Sequence, residues 1–296
     1  MARKKATSPA PKFDNPDSSR VKLAEQPIDC AFDNMAIRLV NIQRDLIMPA
    51  IAFEHFGVEN TITFFGASRI KSPEVAKANL AALQKSLKGK KPSAKHRESL
   101  RMAHADVAMS KYYTAARELA MQLQLWINKK HLPREKTPVL MSGGGPGIME
   151  AANRGASEAG GKTVGLTIYI PDERRANEYI SEGMHIPFHY FIMRKFWLIF
   201  FSKAIVVFPG GMGTLDEFCE VVTLMKTAKI RDSFPLVLFG REFWKKTLNL
   251  ENLVAANVMA RDDLKLIDYA DTVEEACKII LPKLEAKLCG SPKKSK

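Results

Sequence analysis

Cysteine is scarce in this sequence, and no two cysteines stand at a spacing typical of metal sites. There are four in 296 residues, far apart from one another: Cys30, Cys219, Cys277 and Cys289. Without a Cys-x-x-Cys pair or nearby histidines, the pattern argues against a disulfide framework and against a metal centre. It is typical of a protein kept in a reducing compartment, so we expect a cytoplasmic location and no metal.

The sequence also lacks a hydrophobic segment long enough for a membrane. No apolar run follows the basic N-terminal residues, as a secretory signal peptide would require. The most apolar stretch, residues 196–208, is interrupted by Ser202 and Lys203 and is too short to span a bilayer. We therefore expect no contact with a membrane.

The sequence has fewer acidic than basic residues. Lysine and arginine number 45 against 32 aspartates and glutamates, which gives a formal net charge of +13. Such an excess indicates affinity for an anion. Part of it lies in residues 1–25 and 287–296, which we predict to be flexible tails, and in residues 86–98, which we predict to be an exposed loop. Solvated tails explain this charge more simply than nucleic-acid binding does, so no nucleic-acid partner is expected.

Apolar runs alternate with helical patterns along the rest of the chain. We expect an N-terminal helical extension at residues 26–60 and an α/β domain at residues 61–286. Near-continuous apolar runs such as TITFF and AIVVF are typical of parallel strands covered on both faces. Their alternation with helices predicts a doubly wound, mainly parallel sheet with helices on both faces. Among the helices, we predict one at residues 97–131 and one at residues 188–203.

Three glycine-rich loops follow predicted strands, beginning at Gly66, Gly143 and Gly210. Ligands of doubly wound folds bind at the carboxyl ends of the strands, so these loops should meet at one site. The second and third loops lack the last glycine of a dinucleotide fingerprint, because Ile148 and Asp216 stand in its place. They still suit a phosphate, since glycine allows close backbone approach and a helix N-terminus offers free N–H groups.

The third loop has an alternative interpretation. Thr214 and Glu217 match a capping box, in which the two side chains cap a helix without any ligand. A glutamate in the first turn of a helix is expected to stay ionised, because the helix dipole favours its negative form. From these residues alone, a cap and a phosphate site both remain open.

Two cations and two histidines lie just before that loop. Arg194 and Lys195 stand in an otherwise apolar segment, where they are either a pair that extends to solvent from the edge of a helix or a binding site for an anion. We favour the anion site. His185 and His189 have no carboxylate at a fixed spacing and are predicted to be structural.

Three motifs, SGGGPGIMEAAN, MRK and PGGMGTLDE in this order, resemble the LOG family of cytokinin riboside 5′-monophosphate phosphoribohydrolases. The segment around the last two motifs is especially similar to the longer, type II-like bacterial branch, and the resemblance covers about residues 60–285. It implies a Rossmann-like fold and hydrolysis of the N-glycosidic bond of a nucleoside 5′-monophosphate, as in an AMP nucleosidase. It also implies no cofactor, and a homo-oligomer with active sites at subunit contacts.

The resemblance also implies roles for particular residues. Arg194 and Glu217 would be the catalytic pair. The implied phosphate contacts are Gly210, Gly211, Gly213 and Thr214. The implied contacts on the sugar side, and residues near them, are Gly143, Gly144, Gly145, Glu150, Lys195, Ser68 and Arg69.

Two departures from the family pattern concern the substrate. The first loop has Gly66-Ala67-Ser68-Arg69 where the family usually has G-S-A-R, so its serine is displaced by one position. Residues 172–180 resemble the family's E-x-R-P-N-P-Y, but Ala176 and Glu178 replace both prolines. The base preference therefore stays open between AMP and an N6-modified AMP.

Two other functions have been weighed against hydrolysis. A non-catalytic nucleotide-binding or sensing protein on the same fold would need only the glycine loops. Members of the family often carry a lysine decarboxylase label, but such an enzyme requires a Schiff-base lysine in a pyridoxal phosphate site. The sequence has no motif for one.

Overall fold

The computed structural model describes residues 35–88, 93–169, 176–230 and 234–289. The predicted N-terminal tail, residues 290–296 of the C-terminal tail, and Cys30 lie outside the described residues. Within the described ranges, no helix is both long enough and apolar enough to cross a membrane.

The centre of the fold is a seven-stranded parallel sheet. Its strands are β1 (Thr61–Phe65), β2 (Val139–Ser142), β3 (Thr163–Ile168), β4 (His185–Phe188), β5 (Ser202–Val207), β6 (Leu236–Phe239) and β7 (Asp268–Ala270). They lie in the order β4-β3-β2-β1-β5-β6-β7, and every neighbouring pair is parallel. The chain builds outwards from β1 to β4 and then returns to place β5 beside β1. This order confirms the predicted doubly wound, Rossmann-like sheet and puts its switch point between β1 and β5.

Helices cover both faces of the sheet. They are α1 (Met35–Phe56), α2 (Pro73–Leu87), α3 (Ala94–Lys130), α4 (Ile148–Glu158), α5 (Phe191–Phe200), α6 (Met212–Lys226), α7 (Arg241–Thr247), α8 (Leu250–Ala255) and α9 (Val273–Leu288). Short 3-10 turns occupy Arg134–Lys136 and Arg261–Leu266.

Alternate residues of the central strands belong to two hydrophobic cores, one on each face of the sheet. Ala204 and Val206 of β5 pack with residues of α3, α4 and α9. Ile205 and Val207 pack with residues of α1, α5, α6 and α7. Successive side chains of a strand point to opposite faces, so a strand buried on both faces must be apolar throughout. That requirement is why the apolar runs predicted the strands.

Two helices are close enough to require glycine at their contact. A Cβ on Gly155 of α4 would lie 1.9 Å from the carbonyl oxygen of Arg117 on α3. No side chain fits at that distance, so the contact depends on glycine.

The structure corrects the sequence prediction at two places. Residues 188–203 are not one helix, because they contain the end of β4, all of α5 and the start of β5. Strand β4 was not predicted, because its exposed residues His185 and Pro187 alternate with buried ones and leave no continuous apolar run. Helix α2 was not predicted, although Ser72 caps its first turn and Pro73 is its first residue.

Helix boundaries near the predicted loop also differ. Helix α3 begins at Ala94, with Ser93 as its N-cap, so the predicted loop at residues 86–98 includes the ends of two helices. At α9, Thr272 is the N-cap, and its side chain accepts a hydrogen bond from the Glu275 N–H.

Candidate active site

The glycine loops that follow β1 and β5 face each other at the switch point of the sheet. They border a cavity of about 530 Å³, which Met149 and the start of α5 also line. The predicted site residues that line it are Ser68, Arg69, Arg194, Gly211, Gly213, Thr214 and Glu217. The fold therefore brings together residues from three separate segments of the chain.

Arg194 and Glu217 form an ion pair at this cavity. Helices α5 and α6 carry them, and Nη2 of Arg194 donates to Oε1 of Glu217 over 3.1 Å. Their side chains are only 12% and 11% exposed. The Nε of Arg194 is buried and has no hydrogen-bond partner among the described residues.

Burial raises the pKa of Glu217 to about 7, although the positive charge of Arg194 favours the ionised carboxylate. The neighbouring Asp216 adds to the rise and Lys195 opposes it. The sequence predicts an ionised glutamate, whereas a pKa of about 7 leaves the carboxyl only partly ionised at neutral pH. Because α6 begins at Met212, Glu217 lies beyond the first turn, where burial outweighs the helix dipole.

The predicted capping box does not form. Gly211 is the N-cap of α6 and no side chain caps the helix, while Thr214 is its third residue and is buried. The first N–H groups of an α-helix have no partner within the helix. They lie here in a segment that lines the cavity, so the start of α6 keeps the features of an anion site.

The three glycines of this loop differ in their surroundings. No atom lies within 4 Å of a Cβ built on Gly211 or Gly213. A Cβ on Gly210 would lie 2.1 Å from Oγ1 of Thr214, and Gly210 is not part of the cavity lining. Gly210 is therefore required for packing, whereas Gly211 and Gly213 leave the backbone open to a ligand.

Lys195 points away from the cavity. Its Nζ lies 2.9 Å from Asp216 and 2.8 Å from Glu220, both on α6. Burial lowers the pKa of Lys195, but the hydrogen bonds to Glu220 and Asp216 outweigh burial and leave the pKa raised. The ammonium group thus joins α5 to α6, next to the Arg194–Glu217 pair.

The second glycine loop lies behind the cavity. Gly143, Gly144 and Gly145 are buried and do not line it. Nδ2 of Asn177 donates to the carbonyl oxygens of Gly144 and Gly145, each over 3.0 Å. Asn177 was not among the predicted site residues, although the segment resembling E-x-R-P-N-P-Y contains it.

Glu150 and the histidines also lie outside the cavity lining. Oε1 of Glu150 accepts a hydrogen bond of 2.6 Å from the Tyr113 hydroxyl. His185 contacts Oγ1 of Thr167 over 2.7 Å, and burial lowers the pKa of His185. In the part of the chain that the structure describes, no three His, Cys, Asp or Glu side chains form a group that could hold a metal ion.

Residues 149–280 match the family model described as "Possible lysine decarboxylase". Two solved structures are similar at low levels. The molybdenum cofactor binding protein from the phototrophic bacterium Rippkaea orientalis is 20% identical with a TM-score of 0.41, covering 58% of this chain and 86% of that one. The molybdenum cofactor carrier protein from Chlamydomonas reinhardtii is 20% identical with a TM-score of 0.42. The similarity covers 77% of this chain and 99% of that one.

Neither structural similarity carries an argument about ligands at these scores. No curated protein sequence matches the chain significantly.

The residues at the cavity do not fit pyridoxal phosphate, which a lysine decarboxylase of that type would use. That cofactor needs a lysine amine for its Schiff base. The described cavity lining has two arginines, Arg69 and Arg194, and no lysine. The nearest candidate in sequence, Lys195, is bound to two carboxylates of α6.

Proposed function

We propose that this chain, a member of the LOG-like family to which the "Possible lysine decarboxylase" model belongs, hydrolyses the N-glycosidic bond of a nucleoside 5′-monophosphate. The products would be the free base and ribose 5-phosphate, and the substrate AMP or an N6-modified AMP such as a cytokinin riboside monophosphate. The observation that carries this proposal is the buried Glu217, with a pKa of about 7, held by Arg194 beside an uncapped helix N-terminus.

The phosphate group would bind at the start of α6. Gly211 and Gly213 leave room for close backbone approach, and the helix offers free N–H groups and the positive end of its dipole. Arg69, on the facing loop, supplies a positive charge across the cavity. A phosphate held there would fix the attached ribose near Glu217.

The chemistry assigned to Glu217 follows from its pKa. Cleavage builds positive charge on the ribose, which an adjacent carboxylate stabilises. Water adds to the anomeric carbon, the electron pair of the C–N bond leaves with the base, and a proton of the water passes to the Glu217 carboxylate. A base with a pKa near the working pH is well suited to this transfer. The departing nitrogen of the base takes up a proton from solvent, which completes the free base. Arg194 orients the carboxylate through its hydrogen bond to Oε1.

The surface around the cavity supports a homo-oligomer. Large apolar side chains of α5 and α6 are exposed there: Phe191 by 45%, Ile192 by 67% and Met212 by 81%. Phe191 and Met212 also line the cavity. Exposed apolar patches of this kind mark contact surfaces. We propose that a second copy of the chain covers them in the cytoplasm and completes the wall of each active site.

A product assay tests the activity. Purified protein is incubated with AMP, isopentenyladenosine monophosphate and the other common nucleoside monophosphates, and chromatography measures base and ribose 5-phosphate. We expect equal amounts of both from at least one purine substrate. Glu217→Gln should lower kcat by about 10² to 10⁴-fold, whereas Glu242→Gln, on the exposed face of α7, should leave it unchanged.

Two results would contradict the proposal. One is the absence of free base from every monophosphate. The other is full activity in the Glu217→Gln variant. Tight nucleotide binding without any product would instead support the non-catalytic nucleotide-binding alternative.

A further inference from the structure

We propose that Asp45, on the N-terminal helix α1, is a positioning residue for the Arg194–Glu217 pair, because its carboxylate caps the helix that carries Arg194. The inference rests on the proposed function only in taking that pair as the reactive one. The family match begins at residue 149, so it assigns nothing to α1.

The carboxylate of Asp45 lies at the N-terminus of α5. The residue is 2% exposed. Its Oδ2 accepts hydrogen bonds from the backbone N–H groups of His189, over 2.8 Å, and Tyr190, over 3.0 Å. Its Oδ1 contacts Nδ1 of His189 over 2.8 Å. The contact with Tyr190 is buried, and the two contacts with His189 are partly buried.

Helix α5 has no cap of its own. Tyr190 is its N-cap residue, and no side-chain hydrogen bond from Tyr190 caps the helix. A carboxylate at this point satisfies free N–H groups and lies at the positive end of the helix dipole. Asp45 therefore caps α5 from another helix through the N–H groups of the N-cap residue and of the residue before it, and not through those of the first turn.

A short chain of hydrogen bonds leads from Asp45 to Glu217. The N–H of Tyr190 is held by Asp45, and its carbonyl oxygen accepts the N–H of Arg194 over 3.1 Å. The guanidinium of Arg194 then contacts Glu217. Moving the start of α5 would move the backbone of Arg194 and change its distance to Glu217.

The rest of α1 fixes Asp45 relative to α5. Nε1 of Trp197 donates to the backbone oxygen of Asp45 over 3.1 Å. The ring of Phe53 lies 5.5 Å from that of Trp197 and 5.3 Å from that of Phe201, measured between centroids. These contacts hold α1 against α5 along two turns, so the cap is rigidly placed.

The test compares Asp45→Ala and Asp45→Asn with the wild type. Asparagine can keep an oxygen in the place of Oδ2 and still accept from both backbone amides, whereas alanine accepts from neither. Gln43→Ala, on the exposed side of the same helix, is the matched control. Should Asp45→Ala fail to fold, Asp45→Ser replaces it, because a hydroxyl cannot reach both amides.

The main measurement is the titration of the Glu217 carboxyl by carbon NMR, assigned with Glu217→Gln. The charged groups that act on Glu217 are Arg194, Lys195 and Asp216. Losing the cap weakens the contact with Arg194, so the pKa of Glu217 should rise by about half a unit or more in Asp45→Ala. It should stay near the wild-type value in Asp45→Asn and Gln43→Ala, and kcat/KM should fall about tenfold only in Asp45→Ala.

The direction of the change identifies the cause. If Asp45 acted only as a nearby negative charge, removing it would lower the pKa of Glu217, and Asp45→Asn would do the same. A lowered or unchanged pKa in folded Asp45→Ala would overturn the proposal. The titration needs no turnover, so an inactive wild-type protein would refute the proposed function and still leave the positioning role open to this test.

Discussion

Replacing Glu217 by glutamine should make the folded protein more stable above pH 7 while it removes the proposed activity. The pKa of this carboxyl rises on folding from its ordinary value of 4.5 to about 7. Between those two values the folded chain holds a proton that the unfolded chain releases. Stability therefore falls as the pH rises through this interval, and the loss is complete above about pH 7. Glutamine resembles the protonated acid in shape and does not titrate.

The size of the effect follows from the shift in pKa. At about 1.4 kcal/mol for each pH unit, the interval from 4.5 to about 7 corresponds to about 3 kcal/mol at full ionisation. Part of the loss is already present at pH 5, where the unfolded carboxyl is mostly ionised. From pH 5 to pH 8, the stability of Glu217→Gln relative to the wild type should rise by about 2–3 kcal/mol.

Urea unfolding of both proteins at pH 5, 6, 7 and 8 measures this difference, at one fixed protein concentration because oligomers add a concentration dependence. Groups that titrate alike in both proteins contribute equally to the two free energies of unfolding, so they do not affect the difference. Glu242→Gln is the control, since the hydrogen bond from Lys246 lowers the pKa of Glu242 and gives no gain with rising pH. A difference for Glu217→Gln that stayed flat across this range would show that the folded protein does not hold Glu217 protonated.

Three further predictions concern the same region. The kcat/KM of the wild type should rise with pH through about 7, because ionised Glu217 is the reactive form; a flat profile from about pH 5 to 9 would contradict that role. Lys195→Met should cost about 1–2 kcal/mol in urea unfolding, because two carboxylates of α6 lose their partner. Calorimetry should find the nucleotide affinity of Lys195→Met within about threefold of the wild type. A larger loss would show that the Lys195 ammonium contacts the nucleotide. Gly211→Ala should leave stability within about 0.5 kcal/mol but weaken nucleotide binding, whereas Gly155→Ala should destabilise by about 3 kcal/mol because its Cβ would lie 1.9 Å from a carbonyl oxygen. Equal stability loss in both would contradict the difference in their surroundings.

The prediction for Glu217→Gln also concerns the reason why the protein buries a carboxyl that lowers its free energy of unfolding. A buried carboxyl whose pKa is near neutrality destabilises the fold at the working pH. The same burial makes it a better proton acceptor for water. If urea unfolding and the activity assay both agree with these expectations, burial of Glu217 lowers the stability of the fold and also provides the proton acceptor that the reaction needs.

Local patterns in the sequence were sufficient to predict a parallel sheet and the positions of the glycine loops along the chain. Strands buried on both faces must be apolar at successive positions, so TITFF, VLMS and AIVVF could be recognised without the structure. Parallel strands place their following loops at one edge, which predicted that the loops beginning at Gly66, Gly143 and Gly210 meet at one site. The first and third loops line the cavity, and the second does not. Strand β4 was missed because His185 and Pro187 interrupt its apolar residues, so it has no continuous apolar run.

Features that depend on distances between remote segments came only from the tertiary structure. The sequence suggested that Thr214 caps α6 and that Glu217 is ionised, but the chain enters the helix at Gly211 and buries the glutamate. It grouped Lys195 with the substrate, but two carboxylates of α6 hold that ammonium. It gave no reason to connect Asp45 with α5.

The sequence by itself determined the fold class, most of the strands and helices and the positions of the glycine loops, because helix and strand periods and turn chemistry are set by near neighbours. Only the tertiary structure decided which side chains face the cavity, which are paired elsewhere, and how far the pKa of Glu217 shifts. Those properties follow from burial and from charges a few ångströms away in space, contributed by residues distant along the chain.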